Sequence, residues 1–140
     1  MVKSAASRAT VPTRREGIVL AKILRSLLIV LLLGGALLAL YTWAARSFTY
    51  SEGERAGYVQ KFSKKGWICK TWEGELAMAN LPGAMPQVFL FTVSEDAVAA
   101  QINQQMGERV TLHYRQHVGL PTSCFGDTQY FVDHVRRVEP

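Results

Sequence analysis

The chain is poor in the side chains that most often do chemistry. It holds two cysteines and three histidines in 140 residues. Cys69 and Cys124 are too far apart for a CxxC motif, and two distant cysteines offer neither a redox dithiol nor a metal site. His113 and His117 have an H-x-x-x-H spacing that would suit a metal on a helix. The alternation around them predicts a strand, where positions four apart sit roughly 13 Å from each other. One zinc ion cannot bridge that. His134 follows Asp133 directly, so the two side chains are expected on opposite faces of a strand. Neither G-x-G-x-x-G nor G-x-x-x-x-G-K-[ST] occurs, so no nucleotide-binding loop is signalled. A Ser–His–Asp set could be assembled on paper from Ser123, His117 and Asp127, but no nucleophile-elbow sequence supports it. No catalytic residue, metal ligand or cofactor emerges.

One carboxylate pair stands out. Glu73 and Glu75 lie at i, i+2 on one strand face, and paired carboxylates can do acid–base work. An exposed strand face explains them at less cost. An envelope hydrolase would also need a pocket that brings a carboxylate within hydrogen-bond reach of a histidine.

Acidic residues are scarce at the N-terminus. The net charge is +5, yet the excess is local. Residues 1–46 hold seven basic side chains (Lys3, Arg8, Arg14, Arg15, Lys22, Arg25, Arg46) against Glu16 alone. The rest of the chain carries nine basic and ten acidic side chains. A near-neutral domain lacks the field that non-specific DNA or RNA binding relies on, so no nucleic-acid partner is expected.

Charge is wholly missing between Arg25 and Arg46, where the sequence reads SLLIVLLLGGALLALYTWAA. At about 1.5 Å per residue these 20 residues span roughly 30 Å as a helix, the thickness of a bilayer's hydrocarbon core. Tyr41 and Trp43 near the end suit the headgroup region. Arg14, Arg15, Lys22 and Arg25 precede the span, and Arg46 alone follows closely. The positive-inside rule puts the N-terminus in the cytoplasm and residues 47–140 outside. A cleaved signal peptide fits less well, because the apolar run is too long and no clean A-x-A site follows. A buried core helix would not be apolar on every face in so small a domain. Gly35 and Ala39 form a small-xxx-small pair that could let two helices approach, although such pairs are common in apolar sequence. The layout expected is a basic cytoplasmic tail (1–21), a transmembrane signal anchor (22–46), a tether (47–53) and an outer domain (54–140). Residues 1–17 read as a disordered tail.

In the outer domain, residues 54–63 alternate, with Ala56, Tyr58 and Phe62 on one face and Gly57 marking a bulge or bend. SKKG, residues 63–66, reads as a hairpin turn, and Trp67 to Met78 as the returning strand. On that strand Trp67, Cys69, Thr71, Glu73 and Glu75 share one face, and Ile68, Trp72, Leu76 and Met78 the other. Lys70 and Gly74 interrupt the second face. ANLPGAMPQ, residues 79–87, reads as a loop. VFLFTV, residues 88–93, reads as a strand buried on both faces. Ser94 is a candidate N-cap for a helix with a Val98, Ile102, Met106 stripe and a stop at Gly107. Residues 109–118 alternate, with Val110, Leu112, Tyr114 and Val118 facing one way. Residues 128–139 form the last strand. The order β-β-β-α-β-β is that of an OB-fold-like barrel; the alternative is an open α+β sheet with one helix.

In such a barrel the loops preceding the second and fifth strands gather at one end, so a Cys69–Cys124 disulfide is plausible. Its chain-entropy contribution would be roughly 4 kcal/mol, and an outside location supplies the oxidising compartment. Two separate buried thiols are the alternative. An OB-fold would bind through the face of strands two and three and two loops. That nominates Lys64, Lys65, Trp67, Trp72, His117 and Phe125, although the tryptophans could equally be packing.

The runs YSEGERAGYVQKFSKKGWICKTWEGELAM, FLFTVSEDAVAAQI and FGDTQYFVDHV resemble a family of small uncharacterised bacterial single-pass membrane proteins. The resemblance covers roughly Tyr50 to Val138. Some members carry a 6-phosphogluconate dehydrogenase label, but this chain has neither the dinucleotide fingerprint nor the length for that enzyme. The resemblance implies a bacterial, membrane-anchored protein and supplies no active site. The sequence as a whole predicts a binding or assembly module. Its expected partners are the lipid bilayer and a membrane or periplasmic protein, with a homodimer through Gly35 and Ala39 as an alternative. A structural subunit of an inner-membrane complex and an envelope hydrolase are the alternatives.

Overall fold

The computed structural model describes residues 14–78 and 82–139. Most of the expected disordered tail, and residues 79–81 of the ANLPGAMPQ loop, lie outside them. The first helix, α1, is Arg14–Ser47. It already includes residues ahead of Lys22, because Arg, Glu and Lys end an apolar run without ending a helix. Its stretch Gly17–Ser47 is long and apolar enough to cross a membrane, by length and composition. The large apolar side chains from Ile18 to Trp43 are exposed. The chain divides into two compact units, one up to Leu40 and one from Tyr41 onward, so the last turns of α1 belong with the strands.

Five strands and one more helix follow: β1 (Ser51–Lys65), β2 (Thr71–Met78), β3 (Val88–Val93), α2 (Asp96–Gln104), β4 (Arg109–Gln116) and β5 (Tyr130–Arg137). Each strand pairs with two others, in the order β1-β2-β3-β5-β4 and back to β1. All pairings are antiparallel except β3 with β5, which is parallel. One long strand makes the ring possible. The first half of β1 pairs with β4 and the second with β2, and Gly57 pairs with both.

A register shift between Val59 and Lys61 alters the expected face assignment. Before it the buried positions are Gly57 and Val59, and Ala56 and Tyr58 point out; after it Phe62 packs inward. An extra residue in one strand reverses which parity faces the core. The same happens in β5. Val132 and Val135 are both buried, across a register shift at His113/Tyr114. Asp133 and His134 therefore both lie outside the core, not on opposite faces.

Phe91, Leu76, Ile102, Leu112, Val93 and Val110 are fully buried. The Gly74 break in the inward face of β2 has a cause: a Cβ there would come 2.3 Å from the Phe91 ring. The aromatic ring takes the place of the missing side chain. In β3, Val88 and Leu90 are half exposed and only residues 91–93 are buried on both faces, so the doubly buried run is shorter than expected. In α2 the N-cap is Glu95, without a side-chain cap, rather than Ser94. Val98, Ala99 and Ile102 are buried, and Met106 lies past the helix end, partly exposed. Val118 lies beyond β4 and is also exposed.

Candidate functional site

Two loops meet at one end of the ring: residues 66–70 between β1 and β2, and residues 117–129 before β5. The hairpin turn is residues 66–70 rather than SKKG at 63–66, since β1 runs through Lys65 and pairs Lys65 with Thr71. Gly66 turns the chain at φ 133°, and a Cβ there would collide with the Cys69 carbonyl. Trp67 and Ile68 are therefore loop residues, 100% and 96% exposed, not members of β2. Cys69 is bonded to Cys124, with Cα atoms 4.9 Å apart. The bridge joins the two loops and fits an oxidising compartment.

A buried carboxylate fixes the longer loop. Glu73 is 8% exposed, which corrects the expectation of a solvated strand face. Its Oε1 accepts from Thr71 Oγ1 at 2.7 Å and from the Asp127 backbone N–H at 3.1 Å. Its Oε2 accepts from Thr92 Oγ1 at 2.7 Å. Thr128 N–H donates to Thr92 Oγ1 at 3.3 Å. A buried charge requires such partners. Glu75, two residues on, is half exposed and pairs with Lys61 at 3.2 Å. The two glutamates therefore do different jobs.

The six candidate surface residues fall into three places. Lys65 and Trp67 line a groove between the loops, with Ser123 and Asp127, of about 570 Å³. Lys65 Nζ sits 2.6 Å from Asp127 Oδ2. That hydrogen bond, and the charge behind it, hold its pKa above the ordinary lysine range. Lys64 and Trp72 sit instead against the start of α2. Trp72 Nε1 donates to Asp96 Oδ1 at 2.7 Å, and Lys64 Nζ reaches the same oxygen at 3.0 Å. The Trp72 hydrogen bond, then Lys64, keep the Asp96 pKa below the usual carboxylate range. Trp72 also stacks on Phe62, with centroids 5.1 Å apart.

His117 and Phe125 line a cleft of about 200 Å³ with Arg46, Arg115 and Asp133. The Arg46 guanidinium lies 5.1 Å over the Phe125 ring. His117 Nδ1 is 3.1 Å from the Phe48 carbonyl oxygen. Sequence reasoning missed Asp133. One of its oxygens is 2.7 Å from His113 Nδ1 and the other 2.8 Å from Arg115 Nε. A carboxylate thus does lie within hydrogen-bond reach of a histidine, but at the edge of the cleft, since His113 does not line it. The bulge in β5 aims Asp133 at β4, and alternation alone could not reveal it.

This geometry occupies the part of the chain that a family model matches, residues 48–139. The chain belongs to the family described as a domain of unknown function (DUF8785). No curated protein matches the chain, and no solved structure does. The DUF8785 domain thus contains all five strands, α2, both loops and the disulfide. Only α1 and the ends of the chain lie outside it.

Proposed function

We propose that the chain is a single-pass protein of the bacterial inner membrane whose DUF8785 domain is an OB-type barrel facing the periplasm, acting as a binding or assembly module. The strand order and the position of α2 between β3 and β4 support the OB reading. Four basic residues before the apolar run and one just after it support the orientation.

A single observation carries the binding reading. The two loops that an OB barrel uses for ligands are joined by the Cys69–Cys124 bridge, with a groove between them. A covalently fixed loop pair loses less conformational freedom on binding. Pull-down of the full chain from solubilised membranes, read by mass spectrometry, tests this. A partner retained by the wild type and lost from Lys65→Glu assigns binding to the loop end. A partner lost instead from a Gly35→Leu, Ala39→Leu variant makes the protein a structural subunit held through α1. If neither variant loses a partner, the module reading fails at both places. Tags at the two termini test the orientation, which a periplasmic N-terminus would overturn.

The hydrolase reading keeps one observation, the contact between Asp133 and His113. Glu73 no longer serves it, because its oxygens are already occupied. Hydrolysis of an envelope substrate by the wild type, lost in Asp133→Asn, would make that reading the better one.

A further inference from the structure

The exposed tip of the shorter loop is hard to account for as part of the fold. Trp67 and Ile68 are almost wholly exposed, although together they would contribute roughly 3–5 kcal/mol if removed from water. Both line the groove, which does not cover them. Isolated exposed apolar residues are ordinary. Two adjacent ones, on a loop that is covalently held out, call for an environment.

Proximity suggests which one. Tyr41–Ser47, the last turns of α1, belong to the same compact unit as the strands. Tyr41 Oη donates to the Gly119 carbonyl at 2.9 Å. Arg46 lies over Phe125, next to Cys124. The link from α1 to β1 is held to the end of β4, by Tyr50 N–H to the Gln116 carbonyl at 2.9 Å, and to the start of the same loop, by His117 Nδ1 at 3.1 Å from the Phe48 carbonyl oxygen. Residues 117–129 are thus pinned where the apolar run ends, and the disulfide ties the Trp67–Ile68 loop to them. Trp43, Phe48 and Tyr50 are exposed in that same region. Exposed Lys70 flanks the tip on one side and Lys65 on the other.

We propose that Trp67 and Ile68 insert into the headgroup region of the leaflet from which α1 emerges, as a second contact of the domain with the lipid surface. The proposal rests on α1 being a membrane anchor. Tryptophan favours the bilayer interface, where its ring is apolar and its N–H stays wet. The flanking Lys70 complements anionic headgroups, while Lys65 is paired with Asp127. A protein partner seated on the tip itself, rather than in the groove beside it, would require a broader apolar patch with a polar rim; the tip offers two side chains. Because α1 already holds the domain at the membrane, the tip has only to fix its orientation. Tethering makes even a weak second contact effective.

The full chain, with its disulfide intact, can be reconstituted into phosphatidylcholine vesicles containing phosphatidylglycerol, with and without lipids brominated near the top of the acyl chains. The Trp67 signal is the difference between wild type and Trp67→Phe, and the Trp43 signal the difference from Trp43→Phe. The expected result is a blue-shifted Trp67 signal that brominated lipid quenches and aqueous acrylamide reaches poorly. A red, acrylamide-accessible Trp67 beside a lipid-quenched Trp43 overturns the insertion and leaves the anchor standing. A Trp67 shielded from both quenchers, again with Trp43 quenched, also overturns it and points to a contact between copies. An unquenched Trp43 removes the anchor itself, and the inference with it.

Discussion

The two loops joined by the disulfide are held in opposite ways. Residues 117–129 are fastened near their C-terminal end: Glu73 accepts the Asp127 amide, Thr92 accepts the Thr128 amide, and Lys65 pairs with Asp127. Residues 66–70 project from the end of a hairpin, with Trp67 and Ile68 exposed and Cys69 bonded to Cys124. One loop owes its shape to a polar network around a buried charge, the other to a covalent link. The difference separates two kinds of rigidity. Hydrogen bonds to a buried carboxylate stabilise the native state directly. A disulfide acts mainly by restricting the unfolded chain, and locally it limits how far the tip can stray.

Breaking the bridge should have the largest effect. Cys69→Ser with Cys124→Ser removes roughly 4 kcal/mol in the chain-entropy model. Hydrogen exchange of the full chain in detergent should show the strand ends that flank residues 66–70, Lys65 and Thr71, losing protection while the Asp127 and Thr128 amides keep theirs. Equal loss at both loops would mean the polar network does not hold alone. Glu73→Ala is the converse experiment. It strands the Asp127 amide, takes one partner from the Thr92 hydroxyl, and should cost about 3 kcal/mol, read as a fall in thermal midpoint. Here the amides at 127 and 128 should open first, with the disulfide still formed. Glu73→Gln keeps the shape and one acceptor oxygen, so its loss should be smaller.

Much of this arrangement was legible beforehand, and the failures share a cause. The element order, the inward set Val110, Leu112 and Tyr114, and the Cys69–Cys124 pairing follow from alternation and topology. Bulges defeated the rest. An extra residue near Val59 moved Tyr58 outward, and another near Asp133 placed it beside His113. Period-two reasoning carries no term for such an insertion. The burial of Glu73 escapes alternation for a different reason. A carboxylate on a strand is ordinarily solvated, and only a long-range partner, here the loop 54 positions away, accounts for its burial. Gly74 looked like a defect until the Phe91 ring accounted for it.

The smallest effects concern the ion pairs, and they sharpen the comparison by pH. Lys65 links the end of β1 to residues 117–129 through Asp127, and its pKa is raised. Its contribution is fully present below the unfolded lysine pKa and is lost as pH rises through the folded value. Asp96 ties Trp72 and Lys64 to α2, and its pKa is lowered. Its contribution is present above the unfolded carboxylate value and is lost as pH falls through the folded one. The two therefore fade at opposite ends of the scale and on different elements. Both groups are exposed, so each effect should be slight and weaken with salt. Acid should perturb the fluorescence of Trp72, and Asp96→Asn should abolish that response. Alkali should loosen the Asp127 side of the groove, and Lys65→Met should abolish that. If Asp96→Asn left the acid response unchanged, Trp72 would be held by its stacking on Phe62 rather than by its hydrogen bond to Asp96.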